Sequence, residues 1–142
     1  MIIKQLTVFL ENKTGRLNEV SQLMGDSGIN MSAMSLADTS EFGILRMIVS
    51  EPEKALSILK DAEFSARLTE VICLNSPNEP GALARALNIL SGEGVFIEYL
   101  YAYSMDNKSA NIVLKPDNIQ KCIEILQAHQ LELVHSSAMY KI

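Results

Sequence analysis

The alternation of apolar and polar positions at the start of the chain predicts a strand that leads into a helix. Leu6, Val8 and Leu10 lie on one face of residues 2–10, which is the two-residue period of a half-buried strand. After a short polar loop, apolar side chains recur every three or four positions, as they do on the buried stripe of a helix. Gly25 and Gly28 then end this helix.

The rest of the first half predicts two further strands, a helix and a final strand. Residues 29–37 and 43–49 are extended segments, and the polar residues 38–41 between them predict a turn. Pro52 suits the first position of a helix, because its missing N–H is not needed there. Residues 64–74 are almost continuously extended, so we expect the last strand of this half to run directly into the second half.

The second half of the chain repeats the first. The motif Asn-x-x-Gly-x-Leu occurs at residues 12–17 and again at residues 78–83, and in both places it joins a predicted strand to a predicted helix. The second copy is predicted to comprise the elements 70–76, 81–93, 95–104, 109–115, 117–129 and 131–141. Repeats of this length are whole folding units rather than turns of a solenoid, whose repeats run about 20–50 residues.

The predicted element order places the protein in the α+β class, as two ferredoxin-like β-α-β-β-α-β repeats. Right-handed crossovers put both helices of a repeat on one face of a four-stranded antiparallel sheet. We expect the repeats to comprise residues 1–68 and 69–142, with their antiparallel sheets packed side by side. A unit of about 70 residues buries only roughly 60% of its unfolded surface, so each copy gains stability by packing on the other.

Composition and charge argue against several classes of function. The net charge of −5, without a block of Lys or Arg, argues against nucleic acid as a partner. No apolar run is long enough to span a membrane, and the N-terminus lacks the apolar core of a signal peptide, so we expect a cytoplasmic protein. Cys73 and Cys122 are predicted to be free buried thiols. Metal-ligand spacings and a P-loop are absent from the sequence, so we expect no metal and no cofactor.

The glycine of each repeated loop indicates a binding function that follows from backbone chemistry. Gly15 and Gly81 lie where a strand turns into a helix, and the missing Cβ lets a ligand approach the backbone closely. The free N–H groups and the positive dipole end of that helix favour an anion such as an α-carboxylate. Asn12, Asn78 and Asn30 offer carbonyl acceptors for an ammonium group. The alternative is that each glycine serves only the geometry of the turn and binds nothing.

The loop motif, the helix after it and the Gly-Ile-Asn-Met segment at residues 28–31 resemble the ACT domain, a small-molecule-binding regulatory module, here in tandem. Residues 37–49 and 98–102 are most similar to blocks of stand-alone double-ACT proteins. In ACT domains that bind amino acids, the ligand lies between this loop on one domain and the start of the second strand on its neighbour. The resemblance therefore implies ligand contacts for Asn12, Thr14, Gly15, Arg16, Leu17, Asn30, Met31, Ser32, Asn78, Gly81, Ala82, Leu83, Phe96, Ile97 and Glu98.

The function implied by the resemblance is that of a non-catalytic sensor. The chain, as a homodimer, would bind an amino acid between ACT repeats and regulate a partner enzyme or regulator in trans. A structural dimerisation module without a ligand is the main alternative. An enzyme is a weaker alternative, since the sequence offers no nucleophile–base pair. RNA-recognition domains share the element order, but Phe42-Gly43-Ile44 lacks their Lys/Arg-Gly-aromatic run.

The two repeats differ at the start of the second strand, so the resemblance predicts unequal ligand sites. Copy one has Asn30 there, whereas copy two has Phe96, which departs from the Asn of the family and cannot accept a conventional hydrogen bond from an ammonium group. If the repeats pair within one chain, the dominant site comprises Asn78, Gly81 and Asn30. If identical repeats pair between chains, Asn12 works with Asn30 instead.

Overall fold

The computed structural model describes residues 1–38 and 41–140. Its strands are β1 (Ile3–Glu11), β2 (Met31–Asp38), β3 (Phe42–Val49), β4 (Ser65–Pro77), β5 (Ile97–Met105), β6 (Ser109–Pro116) and β7 (Glu132–Leu133). Its helices are α1 (Arg16–Asp26), α2 (Pro52–Asp61), α3 (Ala82–Gly92), α4 (Ile119–Ala128) and α5 (Ser136–Tyr140). The middle of the turn predicted at residues 38–41 and the last residue of the strand predicted at 131–141 lie outside the described residues.

The described residues divide into two units, and each has the predicted α+β architecture. The first unit contains Lys4–Thr69 together with Met139 and Tyr140, and its sheet has the strand order β2-β3-β1-β4. The second unit contains Met1–Ile3 and Glu70–Ala138, and its sheet has the strand order β5-β6-β4-β7. The strand after the first helix of each repeat, β2 in the first unit and β5 in the second, lies at an edge of its sheet. The ferredoxin-like fold class predicted from the sequence is confirmed.

The core of the first unit forms where the apolar face of β1 meets two helices. Leu6 and Val8 are fully buried and pack in one cluster with Val20 of α1 and Leu59 of α2. Strand β3 is antiparallel to β1, with Met47 opposite Leu6, and it extends the same apolar face. Burying one such side chain stabilises the fold by about 1.5–3 kcal/mol, so this face holds the unit together.

The second unit builds an equivalent core from the repeat of the same pattern. Ile72 of β4 lies opposite Leu114 of β6, and both are fully buried. Leu90 of α3 and Leu126 of α4 pack in the same cluster. The two helices therefore cover one face of this sheet, as right-handed crossovers predict.

Strand β4 is a single unbroken strand of 13 residues. It confirms the continuous extended segment predicted at residues 64–74. Its start, Ser65–Thr69, belongs to the first unit, and the rest of the strand belongs to the second unit. The chain therefore passes from one unit to the other inside a strand, without a flexible linker.

Helices α1 to α4 each end on a residue with positive φ. Gly28 and Gly94 follow α1 and α3 at φ values of 70° and 78°. Glu63 and Gln130 follow α2 and α4 at 68° and 61°, although a Cβ makes this left-handed conformation unfavourable. In every case the next residue donates its N–H to a carbonyl near the helix end at 2.9 Å, which closes the last turn. These hydrogen bonds hold Glu63 and Gln130 in a conformation better suited to glycine.

The end of the chain differs from its prediction. A strand over residues 131–141 is wrong, because β7 contains only Glu132 and Leu133 and the chain enters α5 at Ser136. Ser136, Ser137 and Ala138 in this segment are small and lack the branched or aromatic side chains that pack well in a strand. The short helix instead buries Met139, which is 1% exposed.

Cys73 and Cys122 are both free and buried, which confirms the prediction of buried thiols. Burial raises the pKa of Cys73 to about 12. Burial, together with the nearby charge of Asp117, raises the pKa of Cys122 to about 11. The pKa of a thiol in the unfolded chain is about 8.5. The folded state therefore keeps these protons after the unfolded state has lost them.

Replacing Gln130 by glycine tests the backbone strain at the end of α4. We expect Gln130→Gly to raise the free energy of unfolding by about 0.5–1 kcal/mol, because glycine adopts positive φ without a steric cost. Urea denaturation followed by circular dichroism gives the value. Glu124→Gly, in the middle of the same helix, is the matched control and should lower stability by about 1 kcal/mol. A lower free energy of unfolding for Gln130→Gly would show that the positive φ of Gln130 is not strained.

The raised thiol pKa values predict a loss of stability in alkali. Each folded pKa lies above the unfolded one, so the stabilisation is complete below about pH 8.5 and is lost as the pH rises towards about 11–12. We expect the free energy of unfolding, measured in urea at a series of pH values, to fall above about pH 9. A protein with both Cys73→Ala and Cys122→Ala should show a shallower fall. Equal slopes for the two proteins would rule out this linkage.

Candidate functional site

The first repeated loop connects β1 to α1, and Gly15 is the residue before the helix. Its φ of 94° lies in the left-handed region, which explains why this position carries glycine. A Cβ added here would meet no atom of the described residues within 4 Å. The start of α1 therefore leaves room for a ligand close to the backbone, beside the N–H groups of the first helical turn.

Ion pairs surround the first loop. Arg16 lies 3.4 Å from Glu11 and 3.2 Å from Glu19, while Lys13 lies 2.9 Å from Glu11. The hydrogen bond and charge of Lys13, followed by the charge of Arg16, lower the pKa of the Glu11 carboxyl. These side chains are exposed enough for water and salt to screen them, so they position the loop more than they stabilise the fold.

A cleft of about 320 Å³ lies beside the first loop. Its lining residues are Leu10–Thr14, Arg16, Leu17, Leu36, Asp38 and Gly43. The antiparallel pairs Leu10–Gly43 and Asp38–Gly43 explain why the ends of β1 and β2 converge here at the start of β3. The volume suits a small organic molecule. Four predicted site residues, Asn12, Thr14, Arg16 and Leu17, therefore share one cleft.

The second repeated loop has the same backbone geometry but different surroundings. Gly81 has a φ of 87°, so it also needs the left-handed region. A Cβ added at Gly81 would lie 3.3 Å from the Nη1 atom of Arg85. Arg85 in turn lies 3.0 Å from Glu79. A guanidinium therefore occupies the space that is open beside the first loop.

Asn78 is tied to the hairpin between β5 and β6. Its side-chain amide donates to the backbone carbonyl of Asp106, and its backbone N–H donates to the carbonyl of Lys108 at 3.1 Å. The Asp106 carboxylate accepts the N–H groups of Lys108 and Ser109, each at 2.7 Å. The bonds from Ser109 and Lys108 lower the pKa of Asp106. The amide donor of Asn78 thus holds a turn, a structural role that the loop motif alone does not reveal.

Side-chain burial after the two glycines also differs. Ala82 is buried at 6% exposure, and Leu83 packs against the core of the second unit. Leu17, which holds the position of Leu83 in the first repeat, is 41% exposed. The start of α3 therefore faces its own core, whereas the start of α1 presents an apolar side chain to the cleft.

The starts of the second strands match each other in backbone geometry. Asn30 donates its N–H to the Ser50 hydroxyl and accepts the Ser50 N–H, both at 3.0 Å. Phe96 donates to the Asp117 carboxylate at 3.1 Å and accepts the Asp117 N–H at 2.9 Å. The side chains differ, since Phe96 is apolar and 66% exposed. The two repeats thus differ here in the side chain, Asn30 or Phe96, whereas their backbone hydrogen bonds match.

A β-bulge follows in both strands, with Ser32 and Glu98 as the extra residues. The Ser32 hydroxyl donates to a backbone carbonyl of β3 at 3.0 Å. The Glu98 carboxylate lies 2.6 Å from the ammonium of Lys115. Met31 and Ile97, beside the bulges, pack against the cores of their own units. Of these residues, the bulge residues are the ones with polar groups that a ligand could contact.

Within each unit, the repeated loop and the start of the second strand lie at opposite ends of the sheet. In the first unit, Glu11 pairs with Phe42 and Asp38 pairs with Gly43, so the loop lies beside the end of β2. Strand β2 has 8 residues, which places Asn30 roughly 26 Å from Asp38 at about 3.3 Å per residue. The second unit has the same arrangement. A ligand that contacts both groups therefore needs two repeats.

The structure adds Glu11, Leu36 and Asp38 to the residues predicted for the first cleft. Leu36 and Asp38 precede the predicted turn at residues 38–41, and antiparallel pairing brings the strand ends on either side of such a turn together. The turn itself was visible in the sequence. Placing Leu36 and Asp38 beside the first loop also requires the strand order of the sheet, which the sequence pattern does not give.

Among the described residues, no group of three or more His, Cys, Asp and Glu side chains could hold a metal ion. No helix in the described part of the chain is long and apolar enough to cross a membrane.

Solved structures share this architecture. Protein BT0572 from Bacteroides thetaiotaomicron is 48% identical, with 100% of this chain and 98% of that chain covered and a TM-score of 0.94. The ligand-free regulatory subunit of aspartate kinase from Thermus thermophilus is 14% identical, with 88% and 91% covered and a TM-score of 0.64. The corresponding subunit from Thermus flavus is 15% identical, with 92% and 94% covered and a TM-score of 0.62. The two kinase subunits show similarity of fold alone. No protein with a curated description matches the chain.

The family assignment rests on the whole chain. The model of the ACT domain pair matches residues 1–142. It agrees with the duplicated loop motif, the two β-α-β-β-α-β units and the 48% identical structure that covers the full length. The chain belongs to the family of ACT domain pairs.

Proposed function

We propose that this ACT domain pair is a non-catalytic sensor that binds an amino acid and regulates a partner enzyme or regulator in trans. The observation that carries the proposal is the open, left-handed Gly15 at the start of α1, beside a cleft of about 320 Å³. The kinase subunits of similar fold are regulatory by description, which is consistent with this role. Free buried thiols are consistent with a cytoplasmic location.

The first loop supplies groups for an α-carboxylate. The N–H groups at the start of α1 and the helix dipole favour an anion there, by about 0.3–1 kcal/mol for an exposed group. Arg16 adds a guanidinium at the same cleft, and Asn12 and Thr14 add polar side chains. Leu17 and Leu36 give the cleft an apolar wall for a side chain of the ligand.

The second loop is less suited to a ligand. Arg85 fills the space beside Gly81, and the amide donor of Asn78 holds the neighbouring hairpin. These contacts favour a dominant site at the first loop over the combination of Asn78, Gly81 and Asn30 that the sequence favours for pairing within one chain. Because the loop and the second-strand start are far apart within one unit, another repeat supplies the start of its second strand, with either Asn30 or Phe96.

A structural dimerisation module is the second candidate, and one observation favours it. Met34 and Leu36 on the edge strand β2 are 53% and 52% exposed. Exposed apolar side chains on an edge strand are a feature of protein–protein contacts. The same surface serves a ligand-binding homodimer equally well, so ligand binding decides between the two candidates.

A thermal-shift screen against the twenty amino acids tests the sensor function. If one L-amino acid binds only the folded state, a concentration of about 100 times its Kd adds about 2.7 kcal/mol of stability. We expect that amino acid to raise the midpoint of thermal unfolding by a few degrees, while its D-enantiomer has less effect. Unchanged midpoints for all twenty, together with silent calorimetry, would favour the structural module.

Substitution of each glycine by asparagine tests which loop binds. Asparagine tolerates the left-handed region better than other side chains, so both Gly15→Asn and Gly81→Asn should keep the far-UV circular dichroism of the parent. Gly15→Asn fills the open space beside α1, and we expect calorimetry to show at least about tenfold weaker binding, or about 1.4 kcal/mol. Gly81→Asn is the matched control and should change the Kd less than about twofold, or about 0.4 kcal/mol. The opposite ranking of the two variants would move the site to the second loop.

A further inference from the structure

A second and larger cleft, of about 530 Å³, opens at the end of the sheet in the first unit. It lies where the end of β1 meets the starts of β3 and β4, and three phenylalanines line it: Phe9, Phe42 and Phe64. The other lining residues are Glu11, Arg16, Glu63 and Ser65. The volume is in the range of small-molecule sites, and the lining is mainly apolar with a few charged groups, as such sites commonly are.

Cations pack against the rings of Phe64 and Phe9. The guanidinium of Arg16 lies 5.7 Å from the centroid of Phe64, and the guanidinium of Arg67 lies 5.5 Å from the centroid of Phe9. These contacts hold the rings in place while the rings also line the cleft. The rings of Phe9 and Phe64 are therefore held by contacts within the protein.

The fold does not require aromatic side chains at these positions. At the backbone positions of the second unit that correspond to Phe9, Phe42, Phe64 and Arg16, the chain has Asn75, Ser109, Leu131 and Ala82. The second unit forms the same sheet and helices with these side chains. Phe64 packs against the core of the first unit, as Leu131 does in the second, so Phe9 and Phe42 are the rings that core packing does not explain.

The charges of the cleft are not all neutralised. Arg16 forms ion pairs with Glu11 and with a carboxylate of its own helix. Glu63 is exposed, and its carboxylate forms no hydrogen bond or ion pair within the described part of the chain. Arg67 stacks on Phe9 but is not a lining residue. The lining therefore presents one carboxylate without a counter-ion, next to aromatic rings.

We propose that this cleft binds a small organic amine with an apolar body about the size of one aromatic ring. The ammonium group pairs with Glu63, and the apolar body packs against Phe42 and Phe64. An ammonium–carboxylate hydrogen bond is among the stronger ones in proteins, and aromatic faces also attract cations. The second unit has the uncharged Gln130 at the position of Glu63, so the site belongs to the first unit alone.

Two probes of equal ring size and opposite charge test the proposal. The full-length protein is titrated with 2-phenylethylamine and with 3-phenylpropionate, with calorimetry for the Kd and NMR amide shifts for the location. We expect the amine to bind at least about tenfold more tightly than the acid. We also expect the largest amide shifts at Phe42, Glu63, Phe64 and Ser65.

Variants of Glu63 test whether its charge, and not a change in folding, determines amine binding. Glu63→Gln keeps the size of the side chain and should weaken amine binding at least about tenfold. Glu93→Gln removes an exposed carboxylate of the second unit and is the matched control, with unchanged binding. If Glu63→Gln proves unstable, Glu63→Gly removes the same carboxylate while suiting the positive φ at this position.

Several results would overturn the proposal. Equal or tighter binding of 3-phenylpropionate would show that Glu63 does not select the ligand. The proposal would also be wrong if a folded Glu63→Gln protein bound the amine as tightly as the parent. It would likewise be wrong if the amine did not bind, or if its amide shifts were confined to other surfaces. None of these outcomes bears on the amino-acid site at Gly15, because the probes lack an α-carboxylate beside an ammonium group.

Discussion

The left-handed turn at Gly15 is the constraint on which the rest of the first unit depends. An α-helix turns by about 100° per residue, so a helix that began one residue earlier or later would rotate its apolar stripe away from the sheet. Starting α1 at Arg16 puts Val20 and Met24 into the core. The same turn leaves the helix start open and brings the Arg16 guanidinium onto the ring of Phe64. The packing of α1 on the core and the open start of this helix both follow from one backbone conformation.

Much of the fold was predictable because short-range periodicity decides it. The alternation around Leu6, Val8 and Leu10 and the glycines of the loop motif gave the elements and their order. The wrong strand at residues 131–141 has a different cause. The segment after β7 becomes a helix, and this helix buries Met139 in the tertiary structure. Local strand propensity does not include that tertiary contact.

The candidate site was predictable only in part, for a related reason. The motif identified Gly15 and Gly81 as turn residues, and both have the left-handed φ that the turn needs. It could not show that Arg85 fills the space beside Gly81 or that Asn78 holds a hairpin 28 residues further along. It also could not assemble the aromatic cleft, whose rings come from three separate strands or strand starts. Such clusters depend on strand order and register, which a single loop motif does not encode.

The duplicated backbone lets the two units divide structural and binding roles. Both units need the glycine turn and the buried stripe, but only the first unit has Glu11 and Arg16, and these two side chains line both of its clefts. If a ligand binds in each cleft, both ligands meet the same two side chains, so each ligand changes the affinity for the other. Linkage requires the two effects on affinity to be equal. The Glu11–Arg16 ion pair, at 3.4 Å, is thus the contact that the two clefts share.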